Sequence, residues 1–307
     1  MSRYGELMQR IRAGDCILID GATGTEIERR GVPQLDNAWN GGGALSHPQI
    51  LREVHEDYLQ IGAEIIISNN FATHYYALRD AGETERFADY NRRGVELAIE
   101  ARERAQKPNA LVAGGISYWS WTGNHPSLAD LKAATERQVE IIAAAGAELF
   151  LLEMMIDIDK MLILLDAAQA TGLPVWVGFT CAPDAEGVVR LRNGEPLQDA
   201  LAALEGRQVD VVNIMHSEVE HIDSCLEALK SHWPGAVGVY AHSSKSVNHH
   251  WVFDNTISPA DYCSAAQGWI DRGVSIIGGC CGIEPRHIEK LAKLVENKAD
   301  VKSRQTD

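Results

Sequence analysis

Two adjacent cysteines near the end of the chain are the residues whose types and spacing point most strongly to chemistry. They occur in the run Gly278-Gly279-Cys280-Cys281-Gly282. Adjacent cysteines are poor disulfide partners because the ring that they would close is strained, whereas two thiolates on one turn can bind one metal ion. Both residues could instead be small core side chains. The flanking glycines at the end of an apolar run favour the metal site.

A histidine is the best candidate for a third metal ligand. His216 ends the apolar run VDVVNIMH. Two cysteines and one histidine would leave one position of a tetrahedral zinc ion open, which is typical of catalytic rather than structural zinc sites. His242 and His74 also follow apolar runs and are the alternatives.

Two acidic residues also lie at the ends of apolar runs. Asp20 follows the run in ILIDG, and Glu153 ends the run in FLLEM. Buried acids are costly unless they are paired or bind a cation, so both are candidates for binding an amino group of a substrate. The alternative is hydrogen bonding to neighbouring loops. Gly21 opens the turn that follows Asp20, whose backbone amides could hold a carboxylate or a phosphate.

Three further residues are weaker candidates for contacting substrate. Asn70 lies near the end of the second apolar run of the chain. Trp119 and Trp121 follow the third run, where they could pack on a sulfonium or quaternary ammonium group by a cation–π contact. More commonly, such rings simply cover the mouth of a barrel.

Eight short apolar runs, each followed by a segment with helical periodicity, would position these residues. This alternation is typical of parallel βα units, and eight units in about 250 to 300 residues predict a (β/α)8 TIM barrel. A doubly wound sheet is the second choice. The active site of a barrel lies at the carboxyl ends of its strands, where all the candidate residues fall. The runs span residues 16–23, 63–71, 110–117, 148–155, 174–181, 209–216, 236–243 and 274–281.

The helical segments carry start and stop signals, and nothing in the sequence divides the chain. Pro48 suits the first turn of a helix over 47–61, Gly62 suits its end, and Pro285 suits the start of the last helix. We find no linker rich in proline, glycine or serine. We therefore expect a single domain over 1–307, with a frayed tail from about residue 298.

Composition excludes several classes of partner. The chain has 28 Lys and Arg against 43 Asp and Glu, a formal net charge of −15, which disfavours binding to nucleic acids or anionic membranes. No apolar run approaches the length of a membrane span, and the acidic start MSRYGELMQRIRAGD lacks the apolar core of a signal peptide. We expect a cytoplasmic protein with reduced cysteines.

The motifs together resemble one family, the homocysteine S-methyltransferases, which include S-methylmethionine-dependent and betaine-dependent members. DGATGTEIERRGVP, HEDYLQIGAEIIISNNF, LPVWVGFTC and IIGGCCGIEPRHI are similar to the family's segments in order and spacing. The resemblance implies a zinc ion held by three thiolates, with the substrate thiol as the fourth ligand. It assigns Cys280 and Cys281 to two of the ligands, and Asp20 and Glu153 to the amino group of the acceptor.

The third ligand is where the sequence departs from the family, which has Asn-Cys at the end of its sixth strand. Matching the asparagines places Ile214 at the cysteine position, whereas matching the strand ends places His216 there. We prefer His216, because Ile214 would leave the metal with too few ligands. Ser68-Asn69-Asn70-Phe71 stands where the family usually has Thr-Asn-Thr-Phe, and His242-Ser243-Ser244 replaces a common Asn-Ser-Gly.

The sequence therefore predicts a zinc-dependent methyltransferase that moves a methyl group from a sulfonium or ammonium donor to homocysteine or a related small thiol. The zinc-bound thiol would be deprotonated and attack the methyl carbon. Two alternatives remain at this point. One is a barrel enzyme without zinc that binds a phosphorylated substrate at Gly278 and Gly279, and the other is a non-catalytic metal-binding or thiol-binding relative.

Overall fold

Eight parallel strands form the centre of the protein, for which we use a computed structural model describing residues 2–243, 245–247, 250–252 and 256–306. Each strand lies within one of the eight predicted runs or extends it by at most two residues, so the prediction of the strands is confirmed. The barrel strands are β1 (Ile17–Leu18), β2 (Ile65–Ser68), β3 (Leu111–Ile116), β4 (Leu149–Met155), β5 (Val175–Phe179), β6 (Val211–Glu218), β7 (Ala236–His242) and β8 (Ile276–Ile277).

The sheet closes on itself. Hydrogen-bonded neighbours run in the order β1-β8-β7-β6-β5-β4-β3-β2, and every pair is parallel. A parallel bridge between Ile19 and Ile65 joins the two ends, supported by a 2.8 Å bond from the Glu64 amide to the Leu18 carbonyl. The fold is the predicted (β/α)8 barrel.

Helices surround the barrel and alternate with its strands. They are α1 (Arg3–Arg12), α2 (Thr23–Arg29), α3 (Gly43–Ser46), α4 (Pro48–Ile61), α5 (Tyr75–Asp80), α6 (Phe87–Arg104), α7 (Leu128–Ala144), α8 (Ile158–Ala170), α9 (Leu197–Ala202), α10 (Ile222–His232), α11 (Pro259–Asp271) and α12 (Pro285–Thr306). Short 3-10 turns span Asn40–Gly42, Thr84–Arg86 and Val219–His221.

The helix boundaries follow the signals in the sequence. Pro48 lies in the first turn of α4, and Gly62 ends it with a φ of 120°, a value that side-chain-bearing residues rarely adopt. Pro285 begins α12 as predicted. The backbone is helical through Thr306, over most of the segment that we expect to fray, and the fraying itself stays a prediction.

Two antiparallel hairpins extend the barrel beyond the predicted elements. Cys181–Pro183 pairs with Val189–Leu191 after β5, and Lys245–Val247 pairs with His250–Val252 after β7. Neither hairpin is predictable from the sequence, because three-residue strands carry too little periodicity to be recognised. The first hairpin leads directly into Arg192, which lines the cavity described below.

Two strands are irregular where candidate functional residues lie. The pairing of β4 with β5 shifts register between Leu152 and Met155, and Met154 has a φ of 58°. The pairing of β6 with β7 shifts between Met215 and Glu218, and His216 has a φ of 46°. Positive φ values at non-glycine residues cost energy and concentrate at functional sites, because they redirect side chains.

The interior of the barrel and the layer under the helices form one continuous apolar core. Branched aliphatic side chains of the strands, such as Ile66, Val112 and Val239, are fully buried. Among the described residues, no helix combines the length and the apolar character that crossing a membrane requires.

Candidate functional site

A cavity of about 600 Å³ opens at the carboxyl ends of the barrel strands. This volume lies within the range typical of small-molecule sites. The lining includes Asp20, Glu153, His216, Cys280 and Cys281. Gly21 also lines it, so the barrel brings together, in one cavity, six of the seven site residues predicted from the sequence.

The two cysteines and His216 form a compact cluster. The Sγ atom of Cys280 lies 3.5 Å from Nδ1 of His216, the Sγ atom of Cys281 lies 3.6 Å from the same nitrogen, and the two sulfurs are 3.8 Å apart. These are the residues among the described part of the chain whose side chains could together hold a metal ion.

The spacing of the cluster matches that required by zinc. A tetrahedral ion with Zn–S bonds of about 2.3 Å and Zn–N bonds of about 2.0 Å holds its sulfur ligands about 3.8 Å apart and each sulfur about 3.6 Å from the nitrogen. The three separations in the structure agree with these values. Three ligands leave one tetrahedral position for a substrate atom.

The protonation state of the cluster also suits a metal. Burial lowers the pKa of His216 well below its ordinary value, with smaller contributions from His242 and Arg192, so that the imidazole is neutral and able to act as a ligand. The hydrogen bond with Cys280, followed by burial, raises the pKa of the Cys281 thiol. A divalent cation between the sulfurs would remove this penalty on the thiolates.

Backbone hydrogen bonds fix the turn that carries the cysteines. The Cys280 amide donates to the Ala241 carbonyl at 2.9 Å, and the Ser243 amide donates to the Cys281 carbonyl at 3.0 Å, which attaches the turn to the end of β7. A Cβ atom on Gly278 would lie 2.3 Å from Cγ1 of Ile19. Glycine is therefore required there because β1 and the turn approach closely.

The two alternative histidines lie outside the cluster. The His242 ring packs edge-on against His216, with centroids 4.4 Å apart, but its Nε2 lies 3.3 Å from Oε1 of Glu218. The Nε2 of His74 lies 2.8 Å from the Trp119 carbonyl, and burial lowers the pKa of His74 to about 4. Neither imidazole completes the group around the two sulfurs.

Asp20 and Glu153 are buried at the cavity wall, with 1% and 9% of their surfaces exposed. Burial raises the pKa of Asp20 well above its ordinary value, and the nearby charge of Glu153 raises it further, against a 2.7 Å hydrogen bond from the Ile67 amide. Burial raises the pKa of Glu153 to about 8. An ammonium group bound between the two carboxylates would relieve both effects.

Two glycines give these acids their space. A Cβ atom on Gly115 of β3 would lie 2.5 Å from Oε2 of Glu153, so the missing side chain leaves room for the carboxylate. Gly21 lines the cavity next to Asp20, as the sequence analysis expected. Its neighbour Ala22 donates its amide to the Ile283 carbonyl at 3.1 Å, which joins this turn to the segment after the cysteines.

Asn70 does not line the cavity, in contrast to the expectation from the sequence. Its side chain is fully buried and donates to the Asn91 carbonyl at 3.0 Å, while its Oδ1 accepts a hydrogen bond from Ser68. The physical reason is a tight turn after β2, in which the Asn70 amide bonds to the Ser68 carbonyl at 2.7 Å and ends the alternation of the strand. Asn69 lines the cavity instead.

Aromatic rings form one wall of the cavity. Trp39, Phe71 and Trp121 contact one another with centroid separations of 6.1 to 6.4 Å. Trp119 also lines the cavity, and the guanidinium of Arg192 lies over its ring, 5.3 Å from the centroid. The cation that contacts Trp119 in the structure is therefore a side chain of the protein, Arg192.

Sequence reasoning missed Arg192, Trp39 and Glu218 as cavity residues. Each lies where the backbone is too irregular, or the element before it too short, to be predicted. Arg192 follows a three-residue strand, Trp39 has an unusual φ of 42°, and Glu218 ends β6 beyond its register shift. For Glu218, the signal in the sequence is its position two residues after His216.

The barrel and the chemistry of its carboxyl-end cavity define an enzyme of the (β/α)8 class with a cluster able to hold a metal. The sequence model of the homocysteine S-methyltransferase family matches residues 17–295, and the chain belongs to this family. It is therefore a methyltransferase, and homocysteine is the acceptor that the family name supports.

Individual relatives agree over nearly the whole chain. The homocysteine S-methyltransferase of Escherichia coli is 31% identical, over 95% of this chain and 99% of its own. The selenocysteine Se-methyltransferase of Brassica oleracea is 27% identical, over 91% of this chain and 89% of its own. The crystal structure of the metallated form of the E. coli homocysteine methyltransferase MmuM superposes with a TM-score of 0.78 at 27% identity, covering 95% of this chain and all of that one.

Proposed function

We propose that the protein is a zinc-dependent S-methyltransferase that transfers a methyl group from a sulfonium or ammonium donor to homocysteine or a related small thiol. The observation that carries this proposal is the spacing of the cluster formed by His216, Cys280 and Cys281, which matches tetrahedral zinc with one position free. When homocysteine is the acceptor, the product is methionine.

The three ligands would supply two thiolates and one neutral imidazole. His216, Cys280 and Cys281 would hold the zinc ion, which would supply a Lewis acid able to bind the acceptor sulfur and favour its deprotonated form at neutral pH. The residues of the chain then need only hold the acceptor sulfur and the donor methyl group in line. The carbon–sulfur bond forms as the bond from the methyl carbon to the onium centre breaks, and the thiol proton leaves to solvent.

Asp20 and Glu153 would bind the ammonium group of the acceptor. Their carboxyl groups are buried in the same cavity as the cluster, and no cation of the described chain forms an ion pair with either of them. An ammonium group would supply the missing positive charge and fix the position of the acceptor, a contribution of orientation rather than of bond chemistry.

The wall formed by Trp39, Phe71 and Trp121 suits the methyl donor. A sulfonium or quaternary ammonium group is attracted to aromatic faces and is poorly hydrated. The edges and faces of these rings border the same cavity as the cluster. The donor would therefore approach the acceptor sulfur along an apolar surface that excludes water.

The geometry gives less support to a phosphorylated substrate. Gly278 and Gly279 pack tightly against Ile19 and Ile283, so close packing accounts for both glycines. The cavity contains the acids Asp20, Glu153 and Glu218 and, among its lining residues, one arginine. A phosphate dianion would meet more negative than positive charge there.

The test combines metal analysis with a methyl-transfer assay. Protein purified under reducing conditions without chelator should contain about one zinc per chain and should form methionine from homocysteine with at least one donor among S-methylmethionine, dimethylsulfonioacetate and glycine betaine. Cys280→Ser and Cys281→Ser should lower zinc content and activity together. Cys263→Ser, which changes a thiol outside the cavity, is the matched control. Activity in protein that holds no zinc would refute the metal mechanism.

A further inference from the structure

Arg192 is held over the mouth of the cavity by its backbone. Its amide donates to the Thr180 carbonyl at 3.1 Å, and the amide of the next residue, Asn193, donates to the Ile156 carbonyl at 3.2 Å. These bonds attach the segment to the ends of β4 and β5. The side chain then extends over the ring of Trp119, which also lines the cavity. The guanidinium thus lies at the solvent-exposed edge of the cavity.

The guanidinium forms no ion pair and donates no side-chain hydrogen bond within the described parts of the chain. Arg190, two residues earlier in the same hairpin, behaves differently, because its guanidinium binds Asp184 at 2.6 Å and the Gly194 carbonyl at 3.1 Å. A guanidinium presents five N–H donors in a planar fork that matches the two oxygens of a carboxylate. Arg192 therefore offers an unused carboxylate-binding group at the mouth of the site.

Arg192 and the acids Asp20 and Glu153 lie at different depths in the cavity. Asp20 and Glu153 are buried, whereas Arg192 is exposed. The charge that acts on Asp20 is that of Glu153, while the charge of Arg192 acts on His216 and His242. The inner end of the cavity thus carries the two buried acids, and its outer edge carries Arg192 together with Glu218, whose carboxylate faces His242.

An amino-acid acceptor bound by Asp20 and Glu153 does not place its carboxylate at the outer edge of the cavity, next to Arg192. Its ammonium and carboxylate groups are attached to the same carbon, so an acceptor whose ammonium lies between Asp20 and Glu153 keeps its carboxylate deep in the cavity as well. A molecule that enters after the acceptor occupies the outer part, next to Arg192. In the proposed function, that molecule is the methyl donor.

We propose that Arg192 binds a carboxylate of the methyl donor and thereby selects donors that carry both an onium centre and a carboxylate. This inference rests on the proposed function. Arg192 fixes the anionic end of the donor at the cavity mouth, and the aromatic wall takes the onium end. An onium compound without a carboxylate gains only the contact with the aromatic wall and is a poorer substrate.

The test compares matched donors in matched variants. For S-methylmethionine, dimethylsulfonioacetate and glycine betaine, each carboxylate donor is compared with its carboxamide, using homocysteine as acceptor and the zinc-containing protein. Arg192→Gln removes the charge, Arg192→Lys keeps it without the planar fork, and Arg190→Gln is the control for loss of a charge from the same hairpin. Circular dichroism and melting temperature establish that each variant is folded.

Arg192→Gln should raise KM for the best carboxylate donor roughly 10-fold to 100-fold, the range for losing a charged hydrogen bond. It should leave KM for the carboxamide and for homocysteine within about twofold. Arg192→Lys should recover part of the loss, and Arg190→Gln should behave as the wild type. An equal effect on carboxylate and carboxamide, no effect at all, or an effect confined to KM for homocysteine would overturn the inference.

Failure of the proposed function would be distinguishable from failure of this inference. If the wild-type protein transfers a methyl group from none of these donors, the proposed function is wrong, and calorimetric binding of the same pairs decides about Arg192. Tighter binding of the carboxylates than of the carboxamides in the wild type, lost in Arg192→Gln, would still support a carboxylate site. Equal binding of the two forms would refute it.

Discussion

In the proposed zinc site, His216 takes the position at which the family resemblance implies a third thiolate, and the identity of this residue would set the charge of the site. Its Nδ1 atom lies within 3.6 Å of both sulfurs. Two thiolates and one neutral imidazole give the ligands a charge of −2 instead of −3. The zinc should therefore hold its acceptor thiol more strongly and lower the pKa of that thiol further, at some cost in nucleophilicity.

We predict that His216→Ala loses zinc and activity, whereas His216→Cys retains zinc and remains folded. His242→Ala is the matched control, because its ring is adjacent to that of His216 but its Nε2 faces Glu218. The His242→Ala variant should retain zinc. Zinc content by plasma mass spectrometry and transfer rates with homocysteine provide the measurement. Full zinc and activity in His216→Ala, with loss in His242→Ala, would identify His242 as the ligand.

Glu153 should make acceptor binding depend on pH. Because burial raises its pKa to about 8, the carboxyl group of the empty site is largely protonated at neutral pH and must lose its proton to bind an ammonium group. We predict that kcat/KM for homocysteine in the wild type rises with pH up to about 8. In Glu153→Gln, the increase that comes from deprotonation of Glu153 should be absent. At pH 8 the variant should bind the acceptor more weakly by about 1.5 to 3 kcal/mol, with zinc retained. Identical pH profiles in the two proteins would show that Glu153 does not bind the ammonium group.

The raised pKa of Glu153 makes the folded protein less stable as pH rises, whereas acceptor binding is favoured as pH rises. An acid with a raised pKa binds more protons in the folded than in the unfolded protein between about pH 4.5 and 8, so the free energy of unfolding falls as pH rises through that range. Without substrate, Glu153→Gln should therefore melt at a higher temperature than the wild type at pH 8. The two melting temperatures should converge as pH falls toward 4.5.

At the residue scale, the sequence predicts side chains near the ends of strands. His216 and Glu153 lie within the last three residues of β6 and β4, where the pairing with the neighbouring strand shifts register. Asn70 lies two residues beyond β2, after a turn that breaks the alternation. Arg192 depends on a hairpin that periodicity cannot detect. Residue type compensates for distance from a strand, because Cys280 and Cys281 lie beyond the end of β8 and are still recognised as a pair of adjacent thiols.

At the scale of elements, β3 makes room for the acid on the neighbouring β4. A Cβ atom on Gly115 would lie 2.5 Å from Oε2 of Glu153 and 2.6 Å from Cγ2 of Ile67. Gly268 in α11 is the matched control, because no heavy atom lies within 4 Å of its Cβ position.

We predict that Gly115→Ala weakens binding of homocysteine at least tenfold while leaving the zinc content unchanged, because it displaces Glu153 and not the metal ligands. Gly268→Ala should leave binding unchanged and raise the stability by about 0.5 to 1 kcal/mol, the usual gain from replacing glycine in a helix. Calorimetry and urea unfolding measure these effects. Normal acceptor affinity in a folded Gly115→Ala protein would show that the close contact does not position Glu153.

The eight barrel strands were predictable because each is a buried apolar run bounded by polar or glycine residues, and the alternating helices determine that they pair in parallel. The bounds were less predictable. The runs 16–23 and 274–281 contain strands of two residues, Ile17–Leu18 and Ile276–Ile277, because backbone turns that carry Gly21 and Gly278 begin soon after them. Apolar character continues through these turns, whereas the hydrogen-bonded ladder does not.

At the scale of the whole molecule, closure of the barrel creates the site. Cys280 is 64 residues from His216, and Asp20 and Glu153 are separated by most of the first half of the chain. The bridge between Ile19 and Ile65 closes the ring, and the Gly279 amide, which donates to the Asp20 carbonyl at 3.1 Å, joins the first strand to the cysteine turn. The proposed metal ligands and the acids thus meet only in the closed barrel.

The central claim is that one zinc ion is held by His216, Cys280 and Cys281, with its fourth position taken by the acceptor sulfur. X-ray absorption at the zinc edge, combined with zinc stoichiometry and recorded before and after addition of homocysteine, tests it most directly. The account predicts about one zinc per chain, with two sulfurs at about 2.3 Å and at least one nitrogen at about 2.0 Å, and a third sulfur once homocysteine is added. An active protein without zinc, or a sulfur count that homocysteine does not change, would contradict it.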